Sequence, residues 1–164
     1  MKLVVKNGFL IYKNQKFKCS IGKNGLSASK IEGDGCTPLG SFSIIKIFYR
    51  ADKIGIKKFF LDTQIIKPFD GWCDDIRSDF YNSKIKFPFS YSAEKLYRED
   101  DLYDIVCVID YNINPIIKNK GSAIFLHVAS EDYQPTQGCV ALSKSDLLKI
   151  VIDMRNNPKI EILN

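Results

Sequence analysis

Short runs of β-branched and aromatic residues, each cut off within a few positions by glycine, asparagine or proline, most constrain what this chain can fold into. Leu3 to Lys6, Asn7-Gly8 and Phe9 to Tyr12 read as a hairpin, because Asn-Gly accepts the positive φ that a type I′ turn demands. Lys16 to Ile21 alternates polar and apolar residues, the pattern of a strand with one wet face. Phe42 to Tyr49 is β-branched and aromatic, Tyr103 to Asp110 and Ala123 to Val128 read as buried strands, and Lys159 to Leu163 closes the chain as another. One main helix is expected after Ser143-Lys144-Ser145-Asp146, a start resembling a capping box, with Leu147, Leu148, Val151 and Ile152 as its apolar stripe. From about Arg50 to Asp101 the pattern is irregular, with Ser92 to Glu99 as a short helix capped by Ser92; a stretch this long reads as a binding insert or lid. Runs of strands with few helices predict a mainly β fold, a sandwich or a curved, barrel-like sheet. No linker or repeat divides residues 1–164, so one domain is expected.

The residue inventory excludes several function classes. His127 is the only histidine, which rules out a multi-histidine zinc site. The five cysteines, Cys19, Cys36, Cys73, Cys107 and Cys139, form no C-x-x-C pair and give no support to a zinc ribbon or thioredoxin-type centre. The net charge of +5 comes from lysines scattered between Lys2 and Lys159. It reads as a solvated surface rather than the clustered arginine stripe of a nucleic-acid reader. No apolar run is long enough for a spanning helix, and the N-terminus has no secretory pattern.

The segment from His127 to Leu142 concentrates the chemistry. The lone histidine ends an apolar strand, a proline-containing loop follows, and Gly138-Cys139 precedes the capped helix. A cysteine nucleophile needs a neighbouring imidazole to hold it as thiolate and backbone N–H groups aimed at the developing oxyanion. A loop of this length between a strand and a helix start can bring Cys139 beside His127. On spacing alone, a satisfied structural histidine and a small buried cysteine are the commoner reading.

This segment resembles the signature of the L,D-transpeptidases of the YkuD type, bacterial cell-wall enzymes with a cysteine nucleophile. That signature is an upstream histidine, a variable loop, then Ser/Thr-His-Gly-Cys; here it reads His127, then Thr136-Gln137-Gly138-Cys139-Val140-Ala141. A second match lies upstream. The family's Gly-Asp-x-x-Thr-Pro-x-Gly appears as Gly33-Asp34-Gly35-Cys36-Thr37-Pro38-Leu39-Gly40. There are departures: Gln137 replaces the histidine before Gly-Cys, and Ala141 stands where the family often has Arg or Asn. Gln cannot exchange protons, which leaves His127 as the sole imidazole base.

The resemblance implies a YkuD-like fold and a mechanism. Cys139 attacks the carbonyl of an L,D-peptide bond in a diaminopimelate-containing peptidoglycan stem. His127 takes and returns the proton, the Val128 carbonyl orients its ring, and the N–H groups of Gly138 and Cys139 stabilise the oxyanion. Thr136 braces the loop. Gln137, Trp72, Tyr133 and either Arg50 or Arg98 are expected substrate contacts, the arginines replacing the one missing at position 141. An acceptor amine or water resolves the thioester, which separates a transpeptidase from a carboxypeptidase or amidase; a non-catalytic wall-binding domain is the remaining alternative. Cys36 reads as a spacer, Asp74 and Asp75 as a solvated turn within Asp70-Gly71-Trp72-Cys73-Asp74-Asp75. No metal or organic cofactor is implied. The chemistry belongs to the cell envelope.

Overall fold

The computed structural model describes residues 1–164. Its elements are β1 (Lys2–Lys6), β2 (Phe9–Tyr12), β3 (Gln15–Ser20), β4 (Leu26–Ser27), β5 (Thr37–Pro38), β6 (Gly40–Tyr49), α1 (Ala51–Ile54), β7 (Thr63–Ile65), β8 (Asp70–Cys73), β9 (Lys84–Lys86), β10 (Ala93–Lys95), β11 (Ile105–Ile109), β12 (Phe125–Val128), β13 (Val140–Leu142), α2 (Lys144–Asp153) and β14 (Lys159–Ile162). The fold is mainly β, as the strand pattern predicts. The hairpin forms at Asn7 (φ 51°) and Gly8 (φ 76°), both in the left-handed region that a type I′ turn requires.

Nine strands run in the order β11-β12-β13-β3-β2-β1-β14-β6-β7, and β6 also pairs with β11, so the sheet closes on itself. The ten-residue β6 makes closure possible: Gly40 to Ser43 pairs with β14, and Ile44 to Tyr49 pairs with β11. The interior is filled by one side of the strands and by α2. Leu3, Val5, Leu10, Ile105, Cys107, Leu126 and Val128 pack there with Leu147, Ile150 and Val151. Ser143 caps α2, its hydroxyl accepting from the Asp146 N–H at 3.2 Å.

β11 and β12 are buried on both faces, which is why they read as continuous apolar runs. Ile105, Cys107, Ile109, Leu126 and Val128 face the interior, whereas Val106, Val108 and Phe125 face a second cluster with Phe48, Trp72, Leu96, Tyr103 and Cys139. The segment that covers this outer face is the insert. It is not irregular: β10, β8 and β9 form a three-stranded antiparallel sheet, and β7 joins the main sheet beside β6. The helix expected over Ser92–Glu99 is instead strand β10, pairing Glu94 with Trp72. A long-range backbone partner overrides local propensity there, and the Ser92 N–H donates to Asp75 rather than starting a helix.

The stripe of α2 also differs by one position. Ile150 is fully buried, while Ile152 is 46% exposed. Ile150→Ala should therefore cost about 2–5 kcal/mol, and Ile152→Ala no more than about 0.5 kcal/mol, in urea unfolding. Equal losses would contradict this packing.

Candidate active site

β12 and β13 run parallel, with Leu126 opposite Val140 and His127 opposite Ala141. Cys139, one residue before β13, thus falls opposite Phe125. Side chains alternate along a strand, so Phe125, His127, Cys139 and Ala141 share the outer face. Cys139 and His127 line one cavity of about 480 Å³, roofed by the insert. Each is nearly buried, at 8% and 6% exposed.

The loop between them is pinned at several points. The Thr136 N–H donates to the Ile21 carbonyl (2.9 Å), and the Thr136 carbonyl accepts from the Lys23 N–H (2.8 Å). The Thr136 hydroxyl donates to the Cys139 carbonyl at 2.7 Å and accepts from the Gly138 N–H at 3.1 Å. Gly138 has φ +137°, and a Cβ there would lie 2.7 Å from the Cys36 carbonyl oxygen, so only glycine fits. The Gly33–Gly40 segment packs against this turn. Thr37, fully buried, accepts from the Gly22 N–H at 2.8 Å and reaches the Cys139 carbonyl at 3.4 Å. The two motifs read separately in the sequence are therefore one structural unit.

The imidazole is oriented by main chain. His127 Nδ1 lies 2.8 Å from the Val128 carbonyl oxygen. A carbonyl only accepts, so Nδ1 carries the proton and Nε2 keeps its lone pair. Tyr103 meets the ring edge-on, with centroids 5.2 Å apart. Burial drives the imidazole pKa down to about 4, an effect opposed by its backbone hydrogen bonds.

The Cys139 sulfur donates to the Ala123 carbonyl (3.1 Å) and accepts from the Phe125 N–H (3.4 Å). Burial, reinforced by Glu94, pushes its thiol up to about 12. The sequence leads one to expect a sulfur held as thiolate by the imidazole; burial overturns this and leaves a neutral thiol beside a neutral imidazole. Ala123 itself sits at φ 52°, a strained conformation for a residue with a Cβ. Its N–H is held by Asn82 Oδ1 at 3.0 Å, and the same oxygen accepts from Trp72 Nε1 at 3.0 Å. The insert thereby fixes the carbonyl that holds the thiol.

The other expected contacts divide. Thr136, Gln137 and Arg98 line the cavity with Cys139 and His127. Arg98 is paired with Asp100 and lies 4.0 Å from Glu94. Three do not reach the cavity. Arg50 is only 4% exposed, doubly bonded to Asp52 and stacked 3.5 Å over Tyr97, so its guanidinium is committed elsewhere. Trp72 is 6% exposed and packs edge-on against Phe125 beneath the cavity. Tyr133 faces the opposite side of the loop, under the Lys18 ammonium. Asp74 and Asp75 are not a solvated turn. Asp75 is buried, gripped by Arg77 and held well below the usual carboxylate range, and Asp74 lines the cavity. The Gly138 N–H is engaged by Thr136, whereas the Cys139 N–H has no protein acceptor.

Sequence reasoning missed Lys30, Glu32, Glu94 and Tyr103, all on the cavity wall. Tyr103 donates to Glu94 at 2.6 Å, and burial raises the Glu94 carboxyl pKa. Nowhere do three His, Cys, Asp or Glu side chains converge as metal ligands, and no helix is long and apolar enough to cross a membrane.

Residues 1–162 match the model of the YkuD family, described as the L,D-transpeptidase catalytic domain. No curated protein matches the chain in sequence. Among solved structures it is similar to L,D-transpeptidase 1 of Mycobacterium tuberculosis, at 12% identity and a TM-score of 0.45 over 99% of this chain. The match spans 58% of that protein's chain. With the family match reaching from the first residue to within two of the last, the chain belongs to the YkuD family of L,D-transpeptidase catalytic domains.

Proposed function

We propose that this protein is a cysteine-dependent acyltransferase acting on L,D-peptide bonds of peptidoglycan stem peptides in the cell envelope. The observation that carries this reading is that Cys139 and His127 open onto one cavity from adjacent parallel strands, with the imidazole already in the tautomer of a base. The thiol leaves the Ala123 carbonyl, His127 Nε2 takes its proton, and the sulfur bonds to the substrate carbonyl carbon. The oxyanion of the tetrahedral intermediate is met by the Cys139 N–H. Collapse breaks the C–N bond, and the imidazolium returns the proton to the departing amine of the D-residue. The resulting thioester is attacked by an acceptor amine, whose proton passes through the same imidazole to the leaving sulfur. Thr136 holds the loop, Arg98 and Gln137 contact the stem, and Val128 keeps the ring in place.

Resolution by water is the second reading. It is favoured by the polar wall of Lys30, Glu32, Asp74 and Glu94, which accommodates solvent beside the thioester.

Wild-type protein treated with a carbapenem-type acylating agent should gain one covalent adduct at Cys139, and Cys139→Ala should gain none and lose turnover of disaccharide-tetrapeptide. An adduct that persists in Cys139→Ala refutes the nucleophile. In the same assay, cross-linked dimer identifies amine transfer, and free stem acid alone identifies hydrolysis.

Protonating His127 removes the base, and its pKa is lowered to about 4, so kcat/KM should persist as pH falls through 6.5 and drop only as pH approaches about 4. His127→Gln should lower kcat/KM by about 10²–10⁴-fold at pH 7. A wild-type acid limb near 6.5 would contradict the buried neutral imidazole.

A further inference from the structure

Lys30 is a cation on the cavity wall to which the mechanism above gives no part. It is 4% exposed, and its chain lies against Gly121, where a Cβ would meet Lys30 Cε at 2.8 Å. Its Nζ lies 3.4 Å from the Cβ position of Gly138, the residue before the nucleophile. Asp34 Oδ1 holds that nitrogen at 2.5 Å. Asp34 is itself fixed from behind: Oδ1 accepts from the Cys36 N–H at 2.9 Å and Oδ2 from the Ile31 N–H at 3.0 Å. These two N–H groups draw off part of the carboxylate charge, so the ammonium remains the positive end of the pair, turned toward the cavity. A flexible lysine gives up much rotamer freedom to be held this way, and a buried ion pair is weak evidence for stability by itself. Negative charge develops next to Gly138 as Cys139 gives up its proton. Lys30 acts to favour that charge and Glu94 to oppose it.

We propose that Lys30 is a positioning residue for the nucleophile: its ammonium, clamped by Asp34 against Gly138, stabilises the negative charge that forms on the Cys139 sulfur as the thiol proton passes to His127. The Gly-Asp pair upstream of Thr37-Pro38 then acts as a clamp for this cation as well as a turn. The inference rests on Cys139 being the nucleophile.

The test is the rate of Cys139 acylation by the carbapenem-type agent at pH 7.5, read by peptide-resolved mass spectrometry, with thermal melts in parallel. Lys30→Met should slow acylation about tenfold, the equivalent of one unit in the thiol pKa. Lys30→Arg should stay within about threefold of wild type. A folded Lys30→Met that acylates at the wild-type rate overturns the proposal, as does Lys30→Arg behaving like Lys30→Met. Should Lys30→Met fail to fold, Lys30→Gln decides: it keeps a hydrogen-bond donor for Asp34 without the charge, so it should slow acylation as Lys30→Met does, and a wild-type rate overturns the proposal. A wild type that gains no adduct at Cys139 overturns both this inference and the nucleophile, whereas an acylated wild type with an indifferent Lys30→Met overturns this inference alone.

Discussion

The parallel pairing of β12 with β13 is the constraint on which the rest depends. A register that sets His127 opposite Ala141 puts Cys139 and the imidazole on one face, and a slip of one residue would turn one of them into the interior packed by α2. Parallel strands need a connection that returns the chain to the same end of the sheet. Here that connection is the loop from Ala129 to Gly138, and its hydrogen bonds to Ile21, Lys23 and the Cys139 carbonyl hold the register. Thr37 adds a bond from the far side of the chain. The Cys139 sulfur is therefore placed by backbone geometry, with side chains tuning it afterwards.

Burial sets the electrostatics. The same covered outer face that excludes water raises the thiol to about 12 and lowers the imidazole to about 4, so both are neutral at rest. In the proposed reaction the proton then moves as substrate arrives, and the substrate carbonyl takes over the charge from the sulfur as the new bond forms. This resting state protects a cysteine from adventitious oxidation, since the thiolate is the reactive form. Each charge on the cavity wall shifts the cost of a transfer between two groups that are otherwise reluctant to ionise.

Features that arise from local sequence were legible. The Asn7-Gly8 turn, the buried runs of β11 and β12 and the Ser143 cap each follow from residues a few positions apart, and the matched motifs marked Cys139 and His127. Features that arise from long-range pairing were not. The insert strands are three or four residues long, and β10 exists because Glu94 finds Trp72 across the chain. Arg50 looked available because sequence does not show its guanidinium closing on Asp52 two residues ahead. Lys30 was invisible among many lysines. Its chain is buried against Gly121, about ninety residues away, which leaves room for it by lacking a Cβ, and its ammonium lies beside Gly138, still further along the sequence.

Gln137 is the most informative departure from the family pattern. A second histidine before Gly-Cys would put another titrating group on the cavity wall; glutamine leaves that position able to donate and accept but not to change charge. The proposed proton path then has a single stop, and the ring at that stop is steered by its own neighbour's carbonyl rather than by a carboxylate. A carbonyl fixes the tautomer without adding the negative charge that would raise the imidazole pKa. An Asp in its place would favour the imidazolium and so hold the proton that the departing amine needs. With acidic Glu94, Asp74 and Glu32 already lining the cavity, a neutral orienting group keeps the base weak enough to release what it takes.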